Sequence, residues 1–128
     1  WIRNLLEGNP IRVFGDGSQR RDYNFIDDTL DALLLAATSD HSVGRTFNLG
    51  APDPLSLKET AKIMCDQIVG SSYELTPFPK DRKAIDVGDF VCDYTLFSDS
   101  FNWKPKVTFE KGISRSIDFF REELEYYL

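Results

Sequence analysis

The residues best suited to chemistry in this chain are Arg21 and Tyr23, in the stretch Gly15-Asp16-Gly17-Ser18-Gln19-Arg20-Arg21-Asp22-Tyr23. A guanidinium presents paired N–H donors that match a phosphate or carboxylate, and a phenol two positions on offers a ring face and a hydroxyl. The glycines at 15 and 17 predict a turn, because they reach backbone angles that side chains forbid, and Asp16 and Ser18 can bond their own backbone there. Beyond the turn, residues 21–26 are expected to be extended. Alternate residues of a strand share a face, so Arg21, Tyr23 and Phe25 point one way and Asp22, Asn24 and Ile26 the other. A cation and a phenol side by side suit an anionic ligand that carries a ring. A surface turn running into an edge strand, with Arg21 solvated, accounts for the same residues without any ligand.

Lys80-Asp81-Arg82-Lys83 forms a second basic point, inside a long irregular segment, residues 77–90. Irregular segments of this length within a compact domain are often functional. If the fold brings Arg82 and Lys83 to Arg21, they make a local cationic site in a chain of net charge −6, and a diphosphate fits it. An arginine–phosphate contact contributes ~1.5–3 kcal/mol. A base stacked on Tyr23 or Phe25 adds ~1–3 kcal/mol. The competing expectation is that these cations form surface pairs with Asp81, Asp86 or Asp22, at ~0–1 kcal/mol each.

Other chemistries lack their residues. His41 is the single histidine, and Cys65 and Cys92 stand in no metal-ligand spacing, so a transition-metal site is not expected and the cysteines read as a reduced pair. Gly15-Asp16-Gly17 lacks the third glycine of a dinucleotide turn and has no helix directly after it. No tyrosine is followed four positions later by a lysine. Paired carboxylates such as Asp27 with Asp28, or Asp86 with Asp89, carry little weight among 21 acids. The acidic balance argues against nucleic acid as a partner. No apolar run approaches the ~20 residues of a membrane span and the opening residues do not form a signal peptide, so no membrane partner and a cytoplasmic setting are expected.

The elements that must position these groups follow from periodicity. Trp1, Ile2 and Leu5 form the stripe of a helix stopped by Gly8-Asn9-Pro10. Ile11-Arg12-Val13-Phe14 and Tyr73-Glu74-Leu75-Thr76 are predicted strands, as is Thr46-Phe47-Asn48-Leu49. Asp27 or Asp28 is expected to cap a core helix with Leu30, Leu33, Leu34 and Ala37 on its inner face. Ser56-Leu57-Lys58-Glu59 spells a capping box, ahead of a helix carrying Leu57, Ala61, Met64 and Ile68. A short helix with Leu96, Phe97 and Phe101 is predicted next. Thr108 then caps a last helix with Ile113, Ile117, Phe120 and Leu124 at helical spacing. Four short strands are too few for a doubly wound sheet, so the expected fold class is α/β, a small mixed sheet covered by helices, in one domain spanning residues 1–128.

These residues resemble a known family. Gly8-Asn9-Pro10-Ile11, Phe14-Gly15-Asp16-Gly17-Ser18-Gln19, Arg21-Asp22-Tyr23, Asp27-Asp28 and Phe47-Asn48-Leu49-Gly50 are similar, in order, to the second half of NAD-dependent nucleotide-sugar epimerases and dehydratases. This is the extended short-chain dehydrogenase/reductase family, of UDP-glucose 4-epimerase type. The similarity continues through Val87-Gly88-Asp89, Asp93, Trp103-Lys104-Pro105-Lys106-Val107 and Glu110-Lys111-Gly112-Ile113.

The resemblance implies a C-terminal substrate-binding lobe without its Rossmann domain, a piece of a longer enzyme. It implies NAD as the cofactor, held by the absent N-terminal domain, and a nucleotide-diphosphate sugar, that Rossmann domain and a second copy of the parent as partners. In the family, the arginine and tyrosine of Arg-Asp-Tyr contact the nucleotide diphosphate, and they fall on Arg21 and Tyr23. The aspartate after glycine, also at the nucleotide, falls on Asp89. A second phosphate arginine sits three residues earlier in the family, where this chain has Asp86, so that either Arg82 or Lys83 supplies the contact or the diphosphate is held differently. The alternative function is a non-catalytic interaction or scaffold domain that keeps the fold without the ligand. A lobe without its partner is also expected to expose apolar surface and to self-associate through the side bearing Trp1 and Leu5.

Overall fold

Strand alternation sets the inner layer. In β1 (Ile11–Phe14), Ile11 and Val13 face inward and are fully buried, while Arg12 and Phe14 face outward. β1 pairs in parallel with β4 (Tyr73–Thr76), Ile11 opposite Tyr73 through to Phe14 opposite Thr76. Parallel neighbours need a long crossover. It consists of β2 (Arg20–Arg21), α2 (Ile26–Ala37), a 3₁₀ turn (Asp40–Ser42), β3 (Leu55–Ser56) and α3 (Leu57–Asp66). β2 and β3 pair antiparallel, Arg20 opposite Ser56 and Arg21 opposite Leu55. α1 (Ile2–Leu6) precedes this unit, and α4 (Lys80–Lys83), α5 (Thr95–Phe101) and α6 (Phe109–Glu123) follow it. This computed structural model describes residues 1–127, and the fold is mixed α/β, as the sequence predicts.

Two cores hold it. Leu5, Ile11, Val13, Ala61 and Met64 form the larger, with Leu57, Ile68, Tyr73 and Ile113 packed around it. α3 reaches this core because its capping box is in place: Ser56 Oγ accepts from Glu59 N at 3.1 Å and Glu59 Oε2 accepts from Ser56 N at 2.8 Å. α6 is capped by Thr108 and buries Ile117, with Ile113, Phe120 and Leu124 half-buried on the same stripe. Ala32, Phe97 and Trp103 form the second core, joined by Phe47, Leu49 and Phe101. Among the described residues, no helix is long and apolar enough to cross a membrane.

The structure departs from the expected elements at four places, each with a physical reason. Regular extended pairing ends at Arg21, because β3 offers only Leu55 and Ser56 as partners, so residues 22–25 are not in a strand and their side chains do not alternate. α2 starts at Ile26 with Phe25 as its N-cap, and neither Asp27 nor Asp28 caps it. Its apolar face is not core: Leu30, Leu33, Leu34 and Leu35 are exposed, and Ala32 is the apolar residue that α2 buries. Residues 45–50 form no strand, since they have no ladder partner among the described residues, although the Phe47 ring packs edge-on against Phe97 and Phe101. Exposed apolar surface lies on α2 and also at Trp1, although Leu5 itself is buried in the larger core.

Carboxylates take over where ladders are missing. Asp28 is buried, and its Oδ2 accepts from the backbone N–H groups of Lys106 at 3.0 Å and Val107 at 2.9 Å. Asp22 Oδ2 accepts from Cys92 N at 3.1 Å, and the backbone of Gly50 passes so close that a Cβ there meets Asp22 Oδ2 at 2.7 Å and the Cys92 carbonyl at 2.8 Å. Asp28→Ala leaves two part-buried N–H groups without an acceptor, and the expected loss is about 2–4 kcal/mol in urea unfolding. Leu34→Ala, on the exposed face, is expected to change the same measurement by only about 0.5 kcal/mol.

Candidate functional site

The site is built on the turn after β1. Gly17 is buried at φ +70°, and its carbonyl accepts from Lys58 N at 3.0 Å, while the carbonyl of Gln19 accepts from Leu57 N at 2.9 Å. Those donors belong to the first turn of α3, where backbone N–H groups have no partner inside the helix. The helix start and the turn thus satisfy each other. Asp16 accepts from Ser18 N at 3.0 Å and Ser18 Oγ at 2.7 Å, bonds that hold its carboxyl below the usual carboxylate range.

The turn delivers Arg20 and Arg21 to a second loop. Asp89 Oδ1 accepts from Arg20 N at 2.8 Å, Phe90 N donates to the Arg20 carbonyl at 3.0 Å, and Arg21 and Phe90 form an isolated parallel bridge. Arg21 Nη1 donates to the carbonyls of Gly88 at 2.5 Å and Arg20 at 2.8 Å. Its Nη2 lies 3.9 Å from Asp86 Oδ1, a charge interaction too long for a hydrogen bond. Asp86 Oδ2 accepts from Gln19 Nε2 at 2.6 Å and from Gly88 N at 3.2 Å.

Arg21 lines an open hollow of about 480 Å³ together with Arg12, Gln19, Arg82 and Asp86, walled by Phe14 and Phe78. The two phenylalanine rings are 5.5 Å apart at 49°. Arg12 also meets Glu74 at 3.1 Å, in an exposed pair that solvent screens. Three guanidiniums beside an aromatic wall form a hollow that can take a planar ring and an attached anion.

The expected site residues are divided. Arg21 and Arg82 share this hollow. Lys83 is exposed in the last turn of α4 and does not line it. The Asp89 carboxylate is engaged by the backbone of Arg20. Tyr23 lies elsewhere: its ring packs on Phe109 at 4.8 Å, and its hydroxyl is hydrogen-bonded to that of Thr60 at 3.2 Å. It lines another hollow, of about 300 Å³, with Asp53, Lys106 and Thr108. Because the strand stops at Arg21, alternation does not carry Tyr23 onto the arginine's face. Arg12, Phe14, Gln19 and Phe78 were not foreseen. The outward face of β1 marks Arg12 and Phe14 in the sequence pattern, whereas nothing local singles out Phe78. Among the described residues, no group of three or more His, Cys, Asp or Glu could hold a metal ion.

Comparison with known proteins agrees with the fold. The model of the NAD dependent epimerase/dehydratase family matches residues 1–50. The chain is 29% identical to a dTDP-glucose 4,6-dehydratase of Neisseria meningitidis serogroup B, over 98% of its own length and 38% of that protein's. It is 28% identical to UDP-glucuronic acid decarboxylase 1 of Arabidopsis thaliana, over 97% of its own length and 27% of that protein's. Among solved structures it superposes on the UDP-glucose 4-epimerase of Thermotoga maritima, determined with UDP-glucose, at a TM-score of 0.80 and 29% identity, covering 96% of this chain and 38% of that one. The chain therefore spans 38% or less of the length of these relatives.

The turn that aims Arg21 has no room for a side chain at Gly17: a Cβ there meets Val13 Cγ1 at 2.8 Å and Lys58 Cβ at 3.0 Å, at a φ that favours glycine. Gly17→Ala is expected to destabilise the fold by about 1–3 kcal/mol, read as a fall in the urea midpoint at unchanged slope.

Proposed function

We propose that this chain, similar over nearly its whole length to the C-terminal portion of NAD-dependent epimerases and dehydratases, holds the nucleotide-diphosphate end of a nucleotide sugar. The observation that carries the proposal is the hollow in which Arg12, Arg21 and Arg82 meet the rings of Phe14 and Phe78. The diphosphate lies against the guanidiniums and the base against the aromatic wall. That the Thermotoga maritima relative was determined with UDP-glucose supports the ligand class.

The role is positional. Fixing a diphosphate remote from the reacting carbon fixes where the sugar ring lies, and binding energy so used promotes reaction at the sugar. The redox and proton-transfer groups belong, in this reading, to a separate NAD-binding domain. The Gly15–Gly17 turn does not fit NAD: it runs into β2, so it presents no helix N-terminus to a dinucleotide pyrophosphate. The exposed leucines of α2 and the unladdered β-formers of residues 45–49 support that domain as the partner that covers them. A homodimeric parent rests on the family resemblance, and a cytoplasmic setting on the sequence reading above.

A second reading, an interaction domain without ligand, is favoured by one observation: a carboxylate, Asp86, faces Arg21 inside the hollow. Calorimetric titration with UDP separates the two. The expected result is weak binding that falls at least tenfold, by roughly 1.4 kcal/mol, in Arg21→Ala. UDP binding indifferent to that substitution favours the interaction domain. The chain alone, given NAD and UDP-glucose, is expected to show no turnover, and sustained conversion of the sugar contradicts the assignment of catalysis to another domain.

A further inference from the structure

We propose that Asp86 is a built-in counter-anion that sets how tightly the hollow binds phosphate. This rests on the nucleotide-diphosphate reading above and adds to it a residue that tunes affinity. The guanidinium of Arg21 is used from two directions. Nη1 is turned inward, onto the carbonyls of Gly88 and Arg20. Nη2 faces Asp86 at 3.9 Å, so the carboxylate neutralises the cation without taking up its N–H donors. Those donors remain for a ligand, and the ligand's charge meets that of Asp86.

Asp86 is not a wandering surface acid. Gln19 Nε2 at 2.6 Å and Gly88 N at 3.2 Å clamp its other oxygen, and Gly88 holds φ +67° to make the bend. Gln19, Arg21 and Asp86 line the same hollow. The Arg21 and Asp86 side chains are only 24% and 22% exposed, so solvent screens their interaction less than that of a fully exposed pair. A phosphate approaching Nη2 must either sit beside a fixed negative charge or pull residues 86–88 aside. Either route weakens binding and leaves the hollow selective for ligands whose base and sugar contribute contacts of their own.

The test uses inorganic pyrophosphate, which reads charge alone, titrated into the intact protein. Asp86→Asn keeps the shape and removes the charge, and is expected to tighten pyrophosphate binding roughly tenfold at low salt, with the gain shrinking as salt is raised. Asp86→Glu keeps the charge and is expected to give no tightening. Asp86 lies at the surface in an irregular segment, so both variants should fold. Unchanged or weaker binding in Asp86→Asn, with Arg21→Ala still harmful, overturns the role given to Asp86 alone. Failure of Arg21→Ala to weaken binding, whether made alone or together with Asp86→Asn, overturns the nucleotide-diphosphate reading itself.

Discussion

The interaction on which this structure depends is a carboxylate accepting backbone N–H bonds. The described residues form two short ladders, β1 with β4 and β2 with β3, with long connecting segments between them. Backbone donors in such segments have no ladder partner and take other acceptors. Asp28 supplies one for Lys106 and Val107, Asp22 for Cys92, Asp89 for Arg20 and Asp86 for Gly88. Each tie spans segments far apart in sequence except the last, which closes a bend. Part of the acidity of this chain is therefore structural. It fixes loops in the way a sheet would fix strands.

That device shapes the site. The loop that approaches Arg21 is fastened by Asp89 on the backbone of Arg20 and by Asp86 on Gln19. The same fastening brings negative charge into a hollow lined by Arg12, Arg21 and Arg82. A net charge of −6 says nothing about this local balance, because at physiological salt exposed charges beyond about 8 Å are largely screened. On the proposed reading, what decides anion binding is the geometry within one shell of Arg21. The outer face of β1 completes that shell with an arginine and a ring, at no loss to the core, since Ile11 and Val13 occupy the inner face.

Signals with a short period were legible in the sequence. The Ser56–Glu59 capping box, the alternation of β1 and the stripe of α6 each follow from neighbours within one or two turns, and each is present. Signals that need a distant partner were not. Tyr23 reads as a strand neighbour of Arg21, but the short β3 ends the pairing, and its ring turns to Phe109. Asp28 reads as a helix cap and instead reaches residues 106 and 107. The leucines of α2 have the period of a core helix, yet periodicity fixes only which side is apolar, not what covers it. Arg82 is the exception, a basic residue that the sequence offered as a partner of Arg21 and that shares its hollow from 61 positions away, whereas only the fold brings Phe78 to Phe14.

The most direct measurement of the central claim is where a nucleotide settles. A crystal structure of the protein grown with UDP is predicted to show the diphosphate against Arg21 and Arg82 and the uracil against Phe14 and Phe78. Density in the other hollow, beside Tyr23, Lys106 and Thr108, with the arginine hollow empty, contradicts it.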